Sequence, residues 1–221
     1  MKLAVSFSCG KDSTLALYKA MQSPNEVKAL ITTINKDSRS WFHGVNDELL
    51  HEISNSLGIP LYKCITDGSD YEKAFEETLE QIKKDHGIEG CVFGDIDIEL
   101  HRKWTEDRCK NVGIEAVLPL WQADRRECVD EFLNLGFKAV IKCVQLNKLP
   151  NDILGKVLNS ELVDFFVKIG VDACGENGEY HTVVVGGDKL FKKEIPYKIG
   201  EYNEYGRGDE YGRVGVVDIT L

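Results

Sequence analysis

Short β-branched runs alternate with helical patterns over the first two thirds of this chain. Such alternation is typical of βαβ units, in which crossover helices join parallel strands. The β-branched runs predict strands over residues 3–7, 27–34, 61–65, 91–94, 116–118 and 137–144. Apolar residues at helical spacing predict helices over residues 14–21, 49–57, 71–82, 98–112 and 126–135. The sequence therefore predicts an α/β fold: a Rossmann-like parallel sheet with helices on both faces.

The pattern changes after about residue 145. A helical stretch over residues 158–169 is followed by a segment rich in Gly, Tyr and charge. In this part, antiparallel strands of a second lobe are predicted over residues 182–185, 190–195 and 213–219, with an extension of the main sheet as the alternative. We therefore expect a first domain over residues 1–145 and a smaller C-terminal α+β lobe over residues 146–221.

Composition limits the partners. The chain has 27 Lys and Arg against 37 Asp and Glu, a net charge of −10, which argues against binding that depends on neutralising nucleic-acid phosphates. No apolar run approaches the roughly 18 residues of a membrane-spanning helix. We expect no signal peptide, because Met1-Lys2 leads straight into the first predicted strand. The seven cysteines include no CxxC pair, which favours reduced thiols. We expect no membrane partner and a cytoplasmic location.

The turn between the first predicted strand and the first predicted helix reads Ser8-Cys9-Gly10-Lys11-Asp12-Ser13. Backbone N–H groups and the positive end of the helix dipole converge at such a turn and favour an anion. Gly10 allows close approach, the serine hydroxyls can donate, and Lys11 supplies charge for a polyphosphate. We expect Lys11 and Asp12 to be exposed there. From the residues alone, the alternative is an ordinary turn with Ser13 as the helix N-cap.

This Ser-x-Gly-Lys-Asp-Ser turn resembles the pyrophosphate loop of the N-type ATP pyrophosphatases. Cys9 departs from the glycine that is commoner at the second position, so the backbone freedom of glycine is lost there. The segment 170–182, which contains Gly175-Glu176-Asn177-Gly178-Glu179, resembles the C-terminal signature of the diphthine–ammonia ligase family. Gly94-Asp95-Ile96 and Pro119-Leu120-Trp121 also resemble that family, so the resemblance covers nearly the whole chain.

The resemblance implies a Rossmann-like, HUP-type ATP domain and an ATP-dependent amide ligase. A substrate carboxylate would attack the α-phosphate, pyrophosphate would leave, and ammonia would displace AMP to form the amide. In that family the carboxylate belongs to diphthine on translation elongation factor 2; a small-molecule carboxylate stays open as the alternative. The implied cofactors are ATP and Mg²⁺. The expected partners are ATP, ammonia, the carboxylate substrate and, in a candidate homodimer, a second copy of the chain.

Residues 175–182, the acidic segment, could support several kinds of chemistry. Glu176, Glu179 and His181 place two carboxylates and an imidazole within six residues, and Glu179 and His181 share a face if a strand has begun. Such a set could orient ammonia, accept its proton or hold a magnesium ion, and the residues leave that choice open. A structural loop is the alternative, because Asn177-Gly178 is a favoured hairpin turn.

Two other functions stay open. Transfer of sulfur to a tRNA base by the same adenylating step needs a reactive cysteine and a basic surface, and the charge of −10 counts against the latter. A nucleotide-binding sensor without turnover is the other; the presence of Lys11 and Asp12 argues against it. Because no cysteine lies in a G-x-C-x-G elbow, we expect free ammonia rather than glutamine to be the nitrogen donor.

The expected site lies between the phosphate loop and residues 175–182. His43 and His101 follow predicted strands at the edge where open α/β sheets bind ligands, with a solvated or core role as the alternative. The expected catalytic residues are Lys11, Asp12, Glu176, Glu179 and His181, and Asp12 is the expected metal ligand. The expected nucleotide-binding residues are Ser8, Cys9, Gly10, Lys11, Asp12, Ser13, Thr32, Gly94 and Asp95. The expected substrate-binding residues are His43, His101, Glu176, Asn177, Gly178 and Thr182.

Overall fold

Strands and helices alternate in the computed structural model, which describes residues 1–22, 24–35, 44–206 and 212–221. The strands are β1 (Lys2–Ser6), β2 (Glu26–Ile34), β3 (Leu61–Ile65), β4 (Gly90–Val92), β5 (Glu115–Val117), β6 (Lys138–Gln145), β7 (Tyr180–Gly186), β8 (Lys198–Gly206) and β9 (Arg213–Thr220). The helices are α1 (Lys11–Gln22), α2 (Asp47–Leu57), α3 (Tyr71–His86), α4 (Glu99–Val112), α5 (Arg125–Asn134) and α6 (Ser160–Lys168).

The first sheet is parallel, in the order β3-β2-β1-β4-β5. Side chains of α1, α2 and α5, such as Leu15, Leu49 and Phe132, bury one apolar cluster, while Phe75 of α3 and Cys109 of α4 belong to a second. Helices therefore cover both faces, and the predicted Rossmann-like α/β fold is confirmed. From β1 the strands are added towards one edge of the sheet (β2, β3) and then towards the other (β4, β5). The switch point in strand order therefore lies between β1 and β4, which is where such sheets bind ligands.

The second sheet is antiparallel, in the order β7-β6-β9-β8. Its inner residues, such as Val140 and Val183, share the apolar cluster of α1, and that helix packs against strands of both sheets. The sheets thus divide between β5 and β6, before residue 145. The domain division after residue 145 stays a prediction.

The strand predicted over residues 190–195 is wrong. Phe191 and Ile195 are buried, but the neighbouring backbone bonds to helix α2: the amide of Lys192 donates to the Ser56 carbonyl (2.9 Å), and the Ser56 hydroxyl donates to the Lys193 carbonyl (2.7 Å). The strand β8 instead begins at Lys198. Within the described ranges, no helix is long and apolar enough to cross a membrane.

Candidate active site

Residues 8–13, the phosphate-type loop, are hydrogen-bonded to strand β7 of the second sheet. The Val184 amide of β7 donates to the Cys9 carbonyl (2.8 Å), and the Lys11 amide donates to the Thr182 hydroxyl (3.2 Å). Cys9 has a φ of 67°, in the left-handed region that glycine favours. The loop therefore adopts the glycine conformation with a cysteine in place.

Helix α1 begins at Lys11, earlier than the apolar spacing predicts. Ser13 consequently lies in the first helical turn, where its hydroxyl donates to the Gly10 carbonyl (3.1 Å), so the N-cap alternative is wrong. The end of β4 lies directly against this turn. A Cβ atom on Gly94 would come within 2.9 Å of the Asp12 carbonyl carbon and the Ser13 nitrogen, a separation that only glycine permits.

A cavity of about 420 Å³ lies at this edge of the first sheet. Residues from the loop, the end of β4, α3, α4 and the segment before β7 line it. They are Ser6, Ser8, Lys11, Asp12, Ser13, Tyr71, Phe93, Gly94, Asp95, His101, Trp104, Thr105, Cys174, Gly175, Glu176, Tyr180, His181 and Thr182. The structure thus brings the phosphate-type loop and the acidic segment together around one space.

Several expected site residues are not among those lining the cavity: Cys9, Gly10, Thr32, Asn177, Gly178 and Glu179. The Thr32 hydroxyl instead donates to the Phe7 carbonyl (2.5 Å), inside the sheet. His43 lies outside the described residues.

Lys11 is buried, with only 3% of its surface exposed, so the expectation that it is exposed is wrong. Its ammonium group donates to both Asp12 oxygens (3.0 and 2.7 Å) and to the Cys174 carbonyl, and lies 5.2 Å from the centre of the Tyr180 ring. Burial alone would lower the pKa of Lys11, but the Asp12 carboxylate and its acidic neighbours raise it above its ordinary value. Lys11 therefore stays charged and ties the loop to the segment before β7.

Glu176 is the carboxylate of the acidic segment that reaches the cavity. Burial, followed by the charge of Asp12, raises the pKa of Glu176 to about 7. A carboxyl group with this pKa can exchange a proton near neutral pH. Position and acidity together make Glu176 a candidate general base.

Glu179 faces away from the cavity and braces the turn that precedes β7. Its buried carboxylate accepts the Asn177 amide (3.1 Å), the Asn177 side-chain amide (3.3 Å) and the Lys148 ammonium (3.2 Å). Since β7 begins only at Tyr180, Glu179 precedes the strand and does not share the cavity face of His181. The two glutamates of this segment therefore occupy different environments.

Asp95 and His101 form an ion pair across the cavity wall, with 3.2 Å between the Asp95 Oδ1 and the His101 Nδ1. The hydrogen bond to Asp95 raises the pKa of His101. The His101 side chain is 53% exposed, so it connects the cavity with solvent. This pair can bind or relay a proton at the rim of the site.

Aromatic residues line the part of the cavity next to α3 and α4, which sequence reasoning missed. Tyr71 and Trp104 stack with ring centres 5.1 Å apart, and Phe93 follows β4. Helical spacing explained Tyr71 as part of an apolar face. Tyr71 could have been recognised as a cavity residue from its position at the start of α3, just beyond the carboxyl end of β3.

This loop and cavity, at the switch point of a parallel sheet, define an α/β protein of the Rossmann-like class with a ligand site at its carboxyl edge. Residues 1–116 match the diphthamide synthase N-terminal domain, and residues 124–215 match the diphthamide synthase C-terminal domain. The chain therefore belongs to the diphthamide synthase family, and the resemblance found in the sequence is confirmed.

Proteins named diphthine–ammonia ligase are similar to the chain. Those of Bos taurus and Homo sapiens are each 26% identical to it, over 88% of this chain and 82% of theirs. That of Schizosaccharomyces pombe is 28% identical over 95% of this chain and 38% of its own length.

Proposed function

We propose that this chain is a diphthine–ammonia ligase that adenylates a substrate carboxylate with ATP and transfers ammonia to it, releasing AMP and pyrophosphate. The observation that carries the proposal is the meeting of Lys11, Asp12 and Glu176 around one cavity. Family membership and the names of the relatives support the same function. The acceptor is proposed to be diphthine on translation elongation factor 2.

The cavity suits ATP. Its size lies in the usual range of about 300 to 1,000 Å³ for small-molecule sites. The start of α1 and the hydroxyls of Ser8 and Ser13 offer donors to phosphates, and the aromatic wall of Tyr71 and Trp104 offers stacking to a base. These features support ATP as the cosubstrate.

Magnesium fits this site as a companion of the phosphates. Among the described residues, no group of three metal-binding side chains could hold an ion by itself. Mg²⁺ is commonly bound by one or two carboxylates together with substrate phosphates, and Asp12 lines the cavity with a 26% exposed side chain. Bound there, Mg²⁺ would neutralise charge on the phosphates, and Asp12 would hold it.

The side chains around the cavity have different roles in the proposed reaction. The positive end of α1 and the charged Lys11 stabilise the pyrophosphate that leaves. Glu176 lines the cavity, and its pKa of about 7 suits it to accept the proton that nitrogen loses as the amide forms. Asp95 and His101 can pass that proton to solvent. Glu179 supports the turn instead of taking part in the reaction.

Sulfur transfer is the weaker alternative. Cys174 is the cysteine that lines the cavity, and it is buried with its thiol donating to the Arg125 carbonyl (2.8 Å). Burial raises the pKa of the Cys174 thiol, which disfavours the thiolate that such chemistry needs.

The test is to incubate the protein with ATP, Mg²⁺, ammonium chloride and elongation factor 2 that carries diphthine, and to quantify nucleotide products and the amide. AMP and pyrophosphate in step with amide are expected. Asp12→Asn and Glu176→Gln should lower turnover strongly, while Glu161→Gln, at an exposed position of α6, should not. ADP and phosphate as main products would contradict the proposal; ATP binding without any cleavage would favour a sensor. Glutamine at matched nitrogen should not replace ammonium.

A further inference from the structure

Arg125, the first residue of α5, joins two aspartates from distant parts of the chain. Its Nε and Nη2 donate to the two oxygens of Asp97 (2.8 and 2.6 Å), in the loop between β4 and α4. Its Nη1 donates to Asp172 (2.9 Å), in the segment before β7. Such bidentate pairs fix both distance and orientation. Arg125 therefore links the first sheet to the segment that carries Glu176.

Asp172 extends this link into the cavity. The oxygen that accepts from Arg125 also accepts the Glu176 amide (2.7 Å), and the other oxygen accepts the Cys174 amide (3.3 Å). The Cys174 thiol donates back to the Arg125 carbonyl (2.8 Å). The Asp172 side chain is only 11% exposed, so water competes poorly for these bonds.

We propose that Arg125 is a positioning residue of the ligase site, which holds the main chain of Glu176 through Asp172 and so keeps the Glu176 carboxylate in the cavity. Arg125 does not itself line the cavity. The catalytic consequence rests on the proposed function, whereas the ordering of residues 172–182 is a property of the protein that can be measured without any reaction.

The charge of Arg125 acts on Glu176 as well. The charged groups that face Glu176 are Lys11 and Asp12 of α1, Asp95 and His101 on the far wall, and Arg125 of α5. Asp12 and Asp95 raise the pKa of Glu176, while Lys11 and Arg125 lower it. Removing the guanidinium should therefore move the pKa of Glu176 above about 7.

The experiment compares Arg125→Gln with Arg126→Gln. Arg126 is the matched control, because it lies on the same helix and also joins two aspartates, Asp130 (2.8 Å) and Asp164 (2.7 Å), but neither lines the cavity. Amide hydrogen exchange over residues 172–182 should quicken about tenfold in Arg125→Gln and stay unchanged in Arg126→Gln. The kcat for amide formation should fall about 10- to 100-fold, as expected for a displaced catalytic group, while the KM for ATP changes less than about twofold.

Two readouts separate positioning from general support of the fold. In Arg125→Gln the acid limb of the kcat–pH profile should shift to higher pH, since Glu176 holds its proton longer. Arg125→Lys keeps the charge but not the bidentate fork, so its profile should resemble that of the wild type while its kcat is intermediate. Should Arg125→Gln not fold, Asp172→Asn, which preserves side-chain size, replaces it for the exchange and kcat measurements, and the same quickened exchange and lower kcat are expected.

Unchanged exchange of residues 172–182 in Arg125→Gln would overturn the proposal, as would an equal effect of Arg126→Gln or a parallel loss of ATP affinity. A wild-type protein that forms no amide would instead refute the proposed function. The exchange comparison would still decide whether Arg125 orders the segment.

Discussion

The carbonyl of Cys9, in the loop that follows the first sheet's strand β1, accepts a hydrogen bond at 2.8 Å from the amide of Val184 in the second sheet. Cys9 lies just after β1, and Val184 lies within β7. The contact fixes the loop in a conformation that the first sheet alone does not impose. The two halves of the chain that match separate domain models therefore meet at this loop, and residues of both line the cavity.

Replacing Cys9 tests the left-handed backbone of this loop. A residue with a side chain pays about 1 kcal/mol or more at a positive φ, whereas glycine does not. We expect Cys9→Gly to exceed Cys9→Ala in the free energy of unfolding by roughly 1 kcal/mol. Chemical denaturation measures the difference. At Cys128, buried within α5, the alanine variant should instead have the higher free energy of unfolding, as is usual within a helix. A higher free energy of unfolding for the alanine variant than for the glycine variant at both positions would contradict the explanation.

Gly94→Ala should disturb the start of α1. The added methyl would lie 2.9 Å from backbone atoms of Asp12 and Ser13, which cannot move independently of the loop. We expect a loss of about 1 to 3 kcal/mol in the free energy of unfolding and weaker ATP binding by calorimetry. Gly206→Ala is the control, because a methyl there meets no atom of the described residues within 4 Å. Retention of ATP affinity in Gly94→Ala would show that the nucleotide does not depend on this turn.

Lys11→Met should lower stability as well as activity. The change leaves the Asp12 carboxylate and the Cys174 carbonyl without their ammonium partner, at an expected cost of about 2 to 3 kcal/mol, since Asp12 retains partial access to water. Lys19→Met on the same helix removes a half-exposed pair with Glu131 and should cost less than about 1 kcal/mol. Thermal and denaturant unfolding of both variants provide the measurement. Adding Asp12→Asn to Lys11→Met should restore part of the stability but no activity; equal losses at Lys11 and Lys19 would count against the buried pair.

Periodicity predicted the five strands of the first sheet, of which the central ones, β1, β2 and β4, are mostly buried. It also placed the strand predicted over residues 137–144 in that parallel sheet, which is wrong, because β6 belongs to the antiparallel sheet. It failed for the edge of the second sheet. All of β8 is exposed, so no alternation of apolar residues distinguishes it from a loop. Residues 190–195 have a strand-like apolar pattern, yet Lys192 and Lys193 bond to Ser56 of α2. Such long-range partners leave no trace in local sequence.

The loop and the acidic segment that meet at the cavity were singled out from their residues, but the different surroundings of the two glutamates were not. Glu176 and Glu179 lie three positions apart and look equivalent in sequence. In the structure Glu176 lines the cavity, whereas Glu179 binds Asn177 and Lys148. Arg125 escaped notice because it lies just before the helix predicted over residues 126–135, and only the tertiary fold brings Asp97 and Asp172 to it.

Glu176 should make stability and activity respond to pH in opposite directions. Burial and the Asp12 charge raise its pKa from an ordinary 4.5 to about 7, so between these values the folded protein binds a proton that the unfolded chain has released. The contribution of Glu176 to the free energy of unfolding should therefore fall as pH rises from about 4.5 to about 7, and level off above that.

The measurement is the free energy of unfolding across this pH interval for the wild type and Glu176→Gln. The difference between them should carry the slope, because glutamine does not titrate. Glu80→Gln, at an exposed position of α3, should retain the wild-type slope. As the proposed base, Glu176 must be ionised to accept a proton, so turnover should rise over the interval in which stability falls. Equal slopes in the wild type and Glu176→Gln would mean that Glu176 ionises with its ordinary pKa in the folded protein, and would contradict the prediction.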